Sequence, residues 1–494
     1  MKQYILAHDL GTSGNKATLF DEQGVLVTSR ISPYEMDLYN VNWAEQDPAV
    51  WWDAVCTSSR QVLSTIDAHQ VKAVAFSAQM MGCLPVDAHG KALNPAILYC
   101  DHRSSAQEKQ LIDRLGFDRI YTTTGHRPSA AYSLTKLMWI RDNLPDVYEK
   151  TYKVLQAKDY MNYLLTGEFA TDYSDASGTN AFDLHTLDWS DEILDAVGIP
   201  RSLFPTAYPS TTQIGVVHRS ASEQTGIPEG TPVIIGAGDG GCASLGAGSV
   251  SFGKPYLYMG SSSWVSIASR KPLPDEEKIL FNWAHPVEGL YQPCATMQTA
   301  GGSISWFAKT YLGNDDGKTM DEVNVRARQS KPGADGLFFL PYLLGERSPW
   351  WNSKAKGAFV GITLNTTQAD HCRAVLESIA MNQKINFATM LAEVPDRRVM
   401  FIGGGAKNVF LRQIFADVLG CEMAVPQFLA EATSMGAALL GGVGSGLYED
   451  FTIIEKMNPI KEVVEPNQQL ASFYEDLTAQ FVGLYRSLEP WFDR

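Results

Sequence analysis

The stretch "DLGTSGNK", residues 9–16, sets an aspartate, two glycines and two hydroxyls at the end of an apolar run. Glycines let a backbone approach a phosphate closely, Thr12 and Ser13 add donors, and Asp9 offers a carboxylate to a hydrated Mg2+. The same residues also make an ordinary turn in which Asp and Ser satisfy nearby amides, and on this stretch alone both readings stand. The pattern is not the glycine–lysine phosphate loop, and a strand rather than a helix follows it. A phosphate held here would rest on a β-turn.

A second carboxylate, Asp239, ends the apolar run "VIIGAGD" and is flanked by Gly238, Gly240 and Gly241. It reads either as the N-cap of a small-residue helix or as a base that accepts the proton of a substrate hydroxyl during phosphoryl transfer. Asp101 and Arg103 form either a surface ion pair or a pair that reads hydroxyls at a cleft. Gln79, Met80 and Met81 close another apolar run, where two methionines suit core filling. "QTAGGSISWF" (298–307) and "VMFIGGGAKNVFLRQIFADVLG" (399–420) each read as a glycine turn into a helix. Their glycines serve tight packing or let a flat nucleotide lie on backbone, and the residues alone leave that open.

Elements must position these groups. Residues 4–7, 16–20 and 25–27 read as strands, joined by "DEQG" at 21–24, and "KAVAFSAQ" (72–79) is another. Apolar residues recurring at three and four predict helices over 49–66 and 133–145. The strand at 232–239 leads into glycines and alanines, and 255–269 repeats the opening plan of strand, glycine–hydroxyl turn and strand. Gly260-Ser261-Ser262 thus echoes Gly11-Thr12-Ser13. Alternating strands and helices give an α/β class of two related halves facing a cleft, with a boundary near 246–255. Proline-containing stretches at 200–209 and 270–276 read as connecting loops.

The 494 residues suit two or three domains, and 45% hydrophobic with 19% charged residues is globular composition. A net charge of −15 argues against a nucleic-acid or anionic-membrane surface. No apolar segment predicts a secretory leader or a membrane span. Seven scattered cysteines with no CxxC pair suit reduced thiols in a cytoplasm.

Taken together, the segments resemble the FGGY family of carbohydrate kinases, in its xylulose-kinase-like branch. The matching pieces run in family order from "DLGTSGNK" through "SAQMMG", "YCDHRS", "SDASGTNAFDL", "GAGDGG", "YMGSSSW", "AGGSISW" and "LLGERSPWW" to "IGGGAKNVFLRQIFADVLG". The resemblance implies two ribonuclease-H-like domains of the actin/Hsp70/sugar-kinase type around a central cleft. Residues 1–250 would bind the sugar and carry the first phosphate loop and Asp239 as catalytic base; residues 251–494 would bind ATP. Asp9 would associate with Mg2+. Thr12, Ser13 and Lys16, then Gly260, Ser261 and Ser262, would serve the phosphates, and Gly301, Gly302, Ser305, Gly404, Gly405 and Asn408 would line the nucleotide site. Gln79, Met80, Met81, Asp101, Arg103 and Asp239 would meet the sugar.

The chain departs from its relatives in Met81, where a histidine is usual, and in "YCDHRS", where Cys100 replaces an asparagine. Ala131 stands where a glycine, serine or aromatic is usual. Replacing an imidazole by a thioether removes a hydrogen-bond partner from a site that reads hydroxyls. The expected activity is ATP-dependent phosphorylation of a primary hydroxyl, with D-xylulose as leading acceptor. The alternatives are another ketose, a polyol or a signalling furanone, or a non-catalytic sensor on the same fold. The resemblance also implies a homodimer, for which no residue pattern speaks.

Overall fold

Strand Tyr4–Leu10 is buried along nearly its whole length because it lies inside a six-stranded sheet packed on both faces. It pairs antiparallel with Gly14–Asp21, which pairs antiparallel with Leu26–Pro33. On its other side it pairs parallel with Val71–Ala78, which pairs parallel with Pro232–Gly238. Side chains alternate as the pleat requires. Leu6, Val74 and Phe76 join the core under helix Pro48–Leu63, whereas Ile5, Ala7, Ala73 and Ala75 pack against helix Ala432–Gly444. The computed structural model describes residues 2–40, 42–273, 275–313, 319–395 and 397–492.

The second sheet repeats the first. Pro255–Met259 pairs antiparallel with Ser263–Ile267, which pairs antiparallel with Tyr291–Met297. Pro255–Met259 also pairs parallel with Arg398–Ile402, and that strand with Glu422–Pro426. An antiparallel edge strand closes both sheets, Gln213–Val216 on the first and Ile460–Val464 on the second. A small-residue helix follows the last parallel strand of each: Asp239–Gly246 in one half and Ala432–Gly444 in the other. The echo between residues 11–13 and 260–262 is therefore one part of a topological repeat.

Strands run further than the sequence predicts. Asp9 and Asn15 lie within strands, as does Lys16, where the second strand is expected to start, so the turn is only residues 11–13. Asn15 can stay buried because its amide donates to Ser58 Oγ (2.7 Å) and meets His8 Nδ1 (3.0 Å). The helix expected over 133–145 ends at Asn143, before Pro145 opens a separate helix, Pro145–Lys150. The loop expected at 200–209 holds a helical turn, Arg201–Leu203, and a short strand, Thr206–Tyr208, paired with Ala170–Asp172. The loop expected at 270–276 includes Pro274, which lies outside the described residues. Among the described residues, no helix is long and apolar enough to cross a membrane.

Candidate active site

Asp9 sits near the end of its strand, within reach of the start of helix Ala432–Gly444. Its Oδ1 accepts from Ser77 Oγ (3.2 Å), and its Oδ2 accepts from Thr433 Oγ1 (2.5 Å). Burial raises its pKa, and these two hydroxyls with the nearby Lys16 charge oppose that rise only in part. Lys16, expected at the phosphates, is turned elsewhere. Its ammonium donates to Ala430 O (3.1 Å) and lies 4.0 Å from Glu431, tying the first hairpin to the loop before helix Ala432–Gly444.

Asp239 is the first residue of its helix; Gly238, not Asp239, is the N-cap. The parallel strand before it shifts register between Ile234 and Ala237, and Gly236 there has φ +77°. A Cβ on Gly236 would stand 2.0 Å from Phe76 O, so only glycine allows this bulge. The bulge redirects the strand end and brings Asp239 beside Asp9. Burial, then the Asp9 charge, raises the Asp239 carboxyl from 3.8 to about 7, while the N–H of Gly240 donates to its Oδ1 (2.7 Å). Two buried carboxylates, one of them raised by the charge of the other, with no basic side chain bonded to either among the described residues, suit a divalent cation between substrate phosphates and protein. Mg2+ needs only one or two such carboxylates because it keeps phosphate and water oxygens.

The first turn is anchored from behind. Tyr34 Oη donates to Gly11 O (2.5 Å), Gln46 Nε2 to Thr12 O (2.7 Å) and Tyr34 N to Ser13 O (3.1 Å). With the carbonyls fixed, Thr12 and exposed Ser13 carry their side chains at the tip. In the second turn, the N–H of Gly301 donates to Gly260 O (3.0 Å), and those of Ala300 and Gly302 donate to Ser261 O (2.8 and 3.0 Å). The N-terminus of helix Gly301–Leu312 is thereby spent on the loop, not left for a ligand. A Cβ on Gly301 would lie 2.4 Å from Gly260 O, so this glycine serves close packing. Ser261 and Ser305 are exposed, and Ser262 is half-buried.

The glycine triplet divides by role. Gly403 and Gly405 press on Met259, at 2.6 Å from its carbonyl oxygen and its sulfur respectively, measured from the Cβ each lacks. Gly404 is exposed with open space about it. Asn408, expected at the nucleotide, is engaged on both sides. Its Oδ1 accepts from Leu411 N (3.1 Å) as the cap of helix Val409–Leu419, and its Nδ2 donates to Asn324 Oδ1 (2.8 Å).

The residues expected at the sugar differ in how far other protein groups already engage them. Asp101 and Arg103 form a buried clamp: Arg103 Nη2 lies 2.7 Å from Asp101 Oδ2, and its Nη1 lies 2.6 Å from Glu45 Oε1. Ala44 N also donates to Asp101 Oδ2 (2.6 Å), and the guanidinium stacks 3.8 Å from the Trp43 ring. Neither the surface pair nor the hydroxyl-reading pair describes this arrangement. Met80 packs under the turn that carries Asp239, its sulfur 2.4 Å from where a Gly238 Cβ would stand. Gln79 is buried and donates to Gln46 Oε1 (2.8 Å), so it braces the first turn. Met81 is half-buried and holds a left-handed backbone with φ +63°. Its Cγ and the ring of Trp283 approach Gly178 from two sides, at 3.5 and 3.0 Å from the missing Cβ.

Sequence reasoning missed Thr433, Ser77, Gln46 and Trp283. Thr433 was within reach, since the small-residue run "TSMGAALLGG" follows a strand as "GAGDGGCASLGAG" does.

Residues 4–246 match the model of the FGGY family of carbohydrate kinases, N-terminal domain, and residues 256–445 match its C-terminal domain. The chain is 30% identical over 491 residues to a xylulose kinase of Lactococcus lactis, covering 98% of this chain and 97% of that one. It is also 30% identical over 505 residues to a gluconokinase of Bacillus subtilis, covering 99% and 97%. The crystal structure of a xylulose kinase from Rhodospirillum rubrum superposes with a TM-score of 0.94 at 27% identity, covering 100% of each chain. With a carboxylate pair between two repeated sheets and both family models matched, the chain belongs to the FGGY family of carbohydrate kinases.

Proposed function

We propose that this ATP-dependent sugar kinase moves the γ-phosphoryl group of ATP to the primary hydroxyl of a ketopentose, with D-xylulose as leading acceptor. The observation that carries the reading is Asp239, a carboxylate held near neutral pKa by burial and by Asp9 at the start of a small-residue helix. Xylulose kinases among the similar proteins support the acceptor, and the gluconokinase keeps an aldonate in the test panel.

In this reading, residues 1–250 hold the sugar and residues 251–494 hold the nucleotide. Asp239 orients the acceptor hydroxyl and takes its proton as oxygen bonds to phosphorus and the bond to the ADP oxygen breaks. Asp9 would hold Mg2+, which when bound supplies neutralisation of phosphate charge. Thr12 and Ser13 at one turn and Ser261 and Ser262 at the other flank the phosphates from the two halves. Met81, Gly178 and Trp283 form an apolar wall where relatives place an imidazole. Alignment and exclusion of water supply most of the acceleration. Seven free cysteines, all but Cys100 buried, support a reducing cytoplasm, and a homodimer remains part of the proposal.

The test is ADP release by the purified protein over a panel of ketopentoses, polyols and aldonates. Ketopentose-dependent turnover is expected; ATP binding without turnover on any acceptor overturns the reading in favour of a sensor. Asp239→Asn should lower kcat by about 10²–10⁴-fold at unchanged sugar affinity.

A further inference from the structure

Three carboxylates converge on one ammonium inside the first half. Lys158 Nζ lies 2.8 Å from Asp159 Oδ1, 3.1 Å from Asp172 Oδ1 and 3.2 Å from Asp175 Oδ2, and all four side chains are buried. Such a cluster is a costly way to fill a core, since apolar side chains of the same volume are often as stabilising. Its outward hydrogen bonds suggest what it is for.

They leave by two routes. On the first, Asp172 Oδ2 accepts from Ser174 Oγ (2.6 Å), and Ser174 Oγ accepts from the N–H of Gly238 (3.0 Å), the residue before Asp239. Asp172 Oδ2 also accepts from Ser210 Oγ (2.7 Å), while Ser210 O accepts from the N–H of Gly236 (3.2 Å) in the bulge. On the second, Asp159 Oδ2 accepts from Gln156 N (3.1 Å). The Gln156 amide then donates to Asp175 O (2.6 Å) and accepts from Met81 N (2.5 Å). The first route ends on the catalytic turn, the second on the left-handed Met81 turn beside Trp283.

We propose that the Lys158 cluster is a positioning core, which sets the catalytic turn through Ser174 and the sugar-facing turn through Gln156. Neither Ser174 nor Gln156 meets the reacting atoms. Each holds one peptide N–H whose placement decides where a neighbouring side chain stands, a task suited to short bonds anchored in buried charge. The inference rests on the proposed roles of Asp239 and Met81. It goes beyond them in predicting that two turns joined by one cluster separate kinetically.

Steady-state kinetics of the full chain, on the acceptor that the unmodified enzyme turns over, tests this together with thermal melting. Ser174→Ala should lower kcat about 10-fold while leaving both KM values within about twofold, and Ser174→Thr should restore kcat. Gln156→Met should raise sugar KM about 10-fold, with kcat and ATP KM within about twofold. Lys158→Met should show both effects and melt lower; if it does not fold, the Ser174 and Gln156 variants still decide. Proportional loss of kcat and both affinities in step with melting temperature, or wild-type kinetics in both variants, overturns the proposal. Asp239→Asn measured in parallel separates the two readings. If it keeps wild-type turnover, the base assignment falls, while the split between Ser174 and Gln156 still reports on the positioning core.

Discussion

Asp239 is shaped by what surrounds it more than by its own helix. A carboxyl ordinarily at 3.8 and held at about 7 in the folded chain is destabilised in its charged form. Below about pH 4 it is neutral folded and unfolded, and contributes no pH dependence. As pH rises from 4 to 7 the unfolded chain loses this proton while the folded chain keeps it, so stability falls; above 7 the penalty is constant. Asp239→Asn removes the ionisation. Without nucleotide or Mg2+, its melting temperature should gain on wild type by roughly 2–4 °C more at pH 8 than at pH 5. Scanning fluorimetry at the two pH values measures it, and an equal difference at both would show that the carboxyl is not raised. In the proposed function, such a carboxyl is a base already held near neutral pKa before substrate binds.

The turns show how elements share this work. Gly301 and Gly404 look alike as glycines in turns that open helices, yet one meets a backbone oxygen and the other meets nothing. Gly301→Ala should push helix Gly301–Leu312 off the 260–262 turn, costing about 1–3 kcal/mol and raising ATP KM while sugar KM holds. Gly404→Ala should leave the melting temperature unchanged. If Gly301→Ala moves sugar KM instead, the second turn does not serve the nucleotide. This distinction also marks how far the chain could be read before folding. Asp9 and Asp239 stood out in the sequence as carboxylates beside glycines where apolar runs finish, and the strand–turn–strand repeat exposed the two halves. The alternation of strands and helices was legible for the same reason: periodicity is local. Arg103 was not, because the Trp43 ring and Glu45 that enclose it with Asp101 come from another segment. Nor was Asn408, whose partner Asn324 lies far along the chain. Spacing shows that a polar group stands at a strand or helix end; only long-range packing shows whether a partner has already taken it.

At the scale of the whole molecule, the two halves meet through a pair of helices, the end of one lying against the start of the other. Asp239–Gly246 begins with the proposed base, and Ala432–Gly444 carries, in its second residue, the Thr433 hydroxyl that binds Asp9. The second helix follows a strand of the second sheet but packs on the first, where Gly441 approaches Ile5 and Ala75. The crossing is close: a Cβ on Gly246 would stand 1.9 Å from Ala432 O, and one on Gly436 would stand 2.1 Å from Cys242 O. Both obstacles are backbone, so neither side can yield by a rotamer change. The contact therefore fixes how the helix that starts with Asp239 lies against the helix whose Thr433 holds Asp9, and so bears on the placement of the two carboxylates. Gly436→Ala should force the helices apart, costing about 1–3 kcal/mol and lowering kcat, while leaving each substrate's KM less affected, since in the proposed function each is held mainly by one half. Gly483→Ala, a helical site with nothing within 4 Å of the added carbon, is the control and should be neutral or slightly stabilising. Equal kinetics for Gly436→Ala and wild type, at a lowered melting temperature, would show that the crossing supports the fold without setting the geometry of the carboxylate pair.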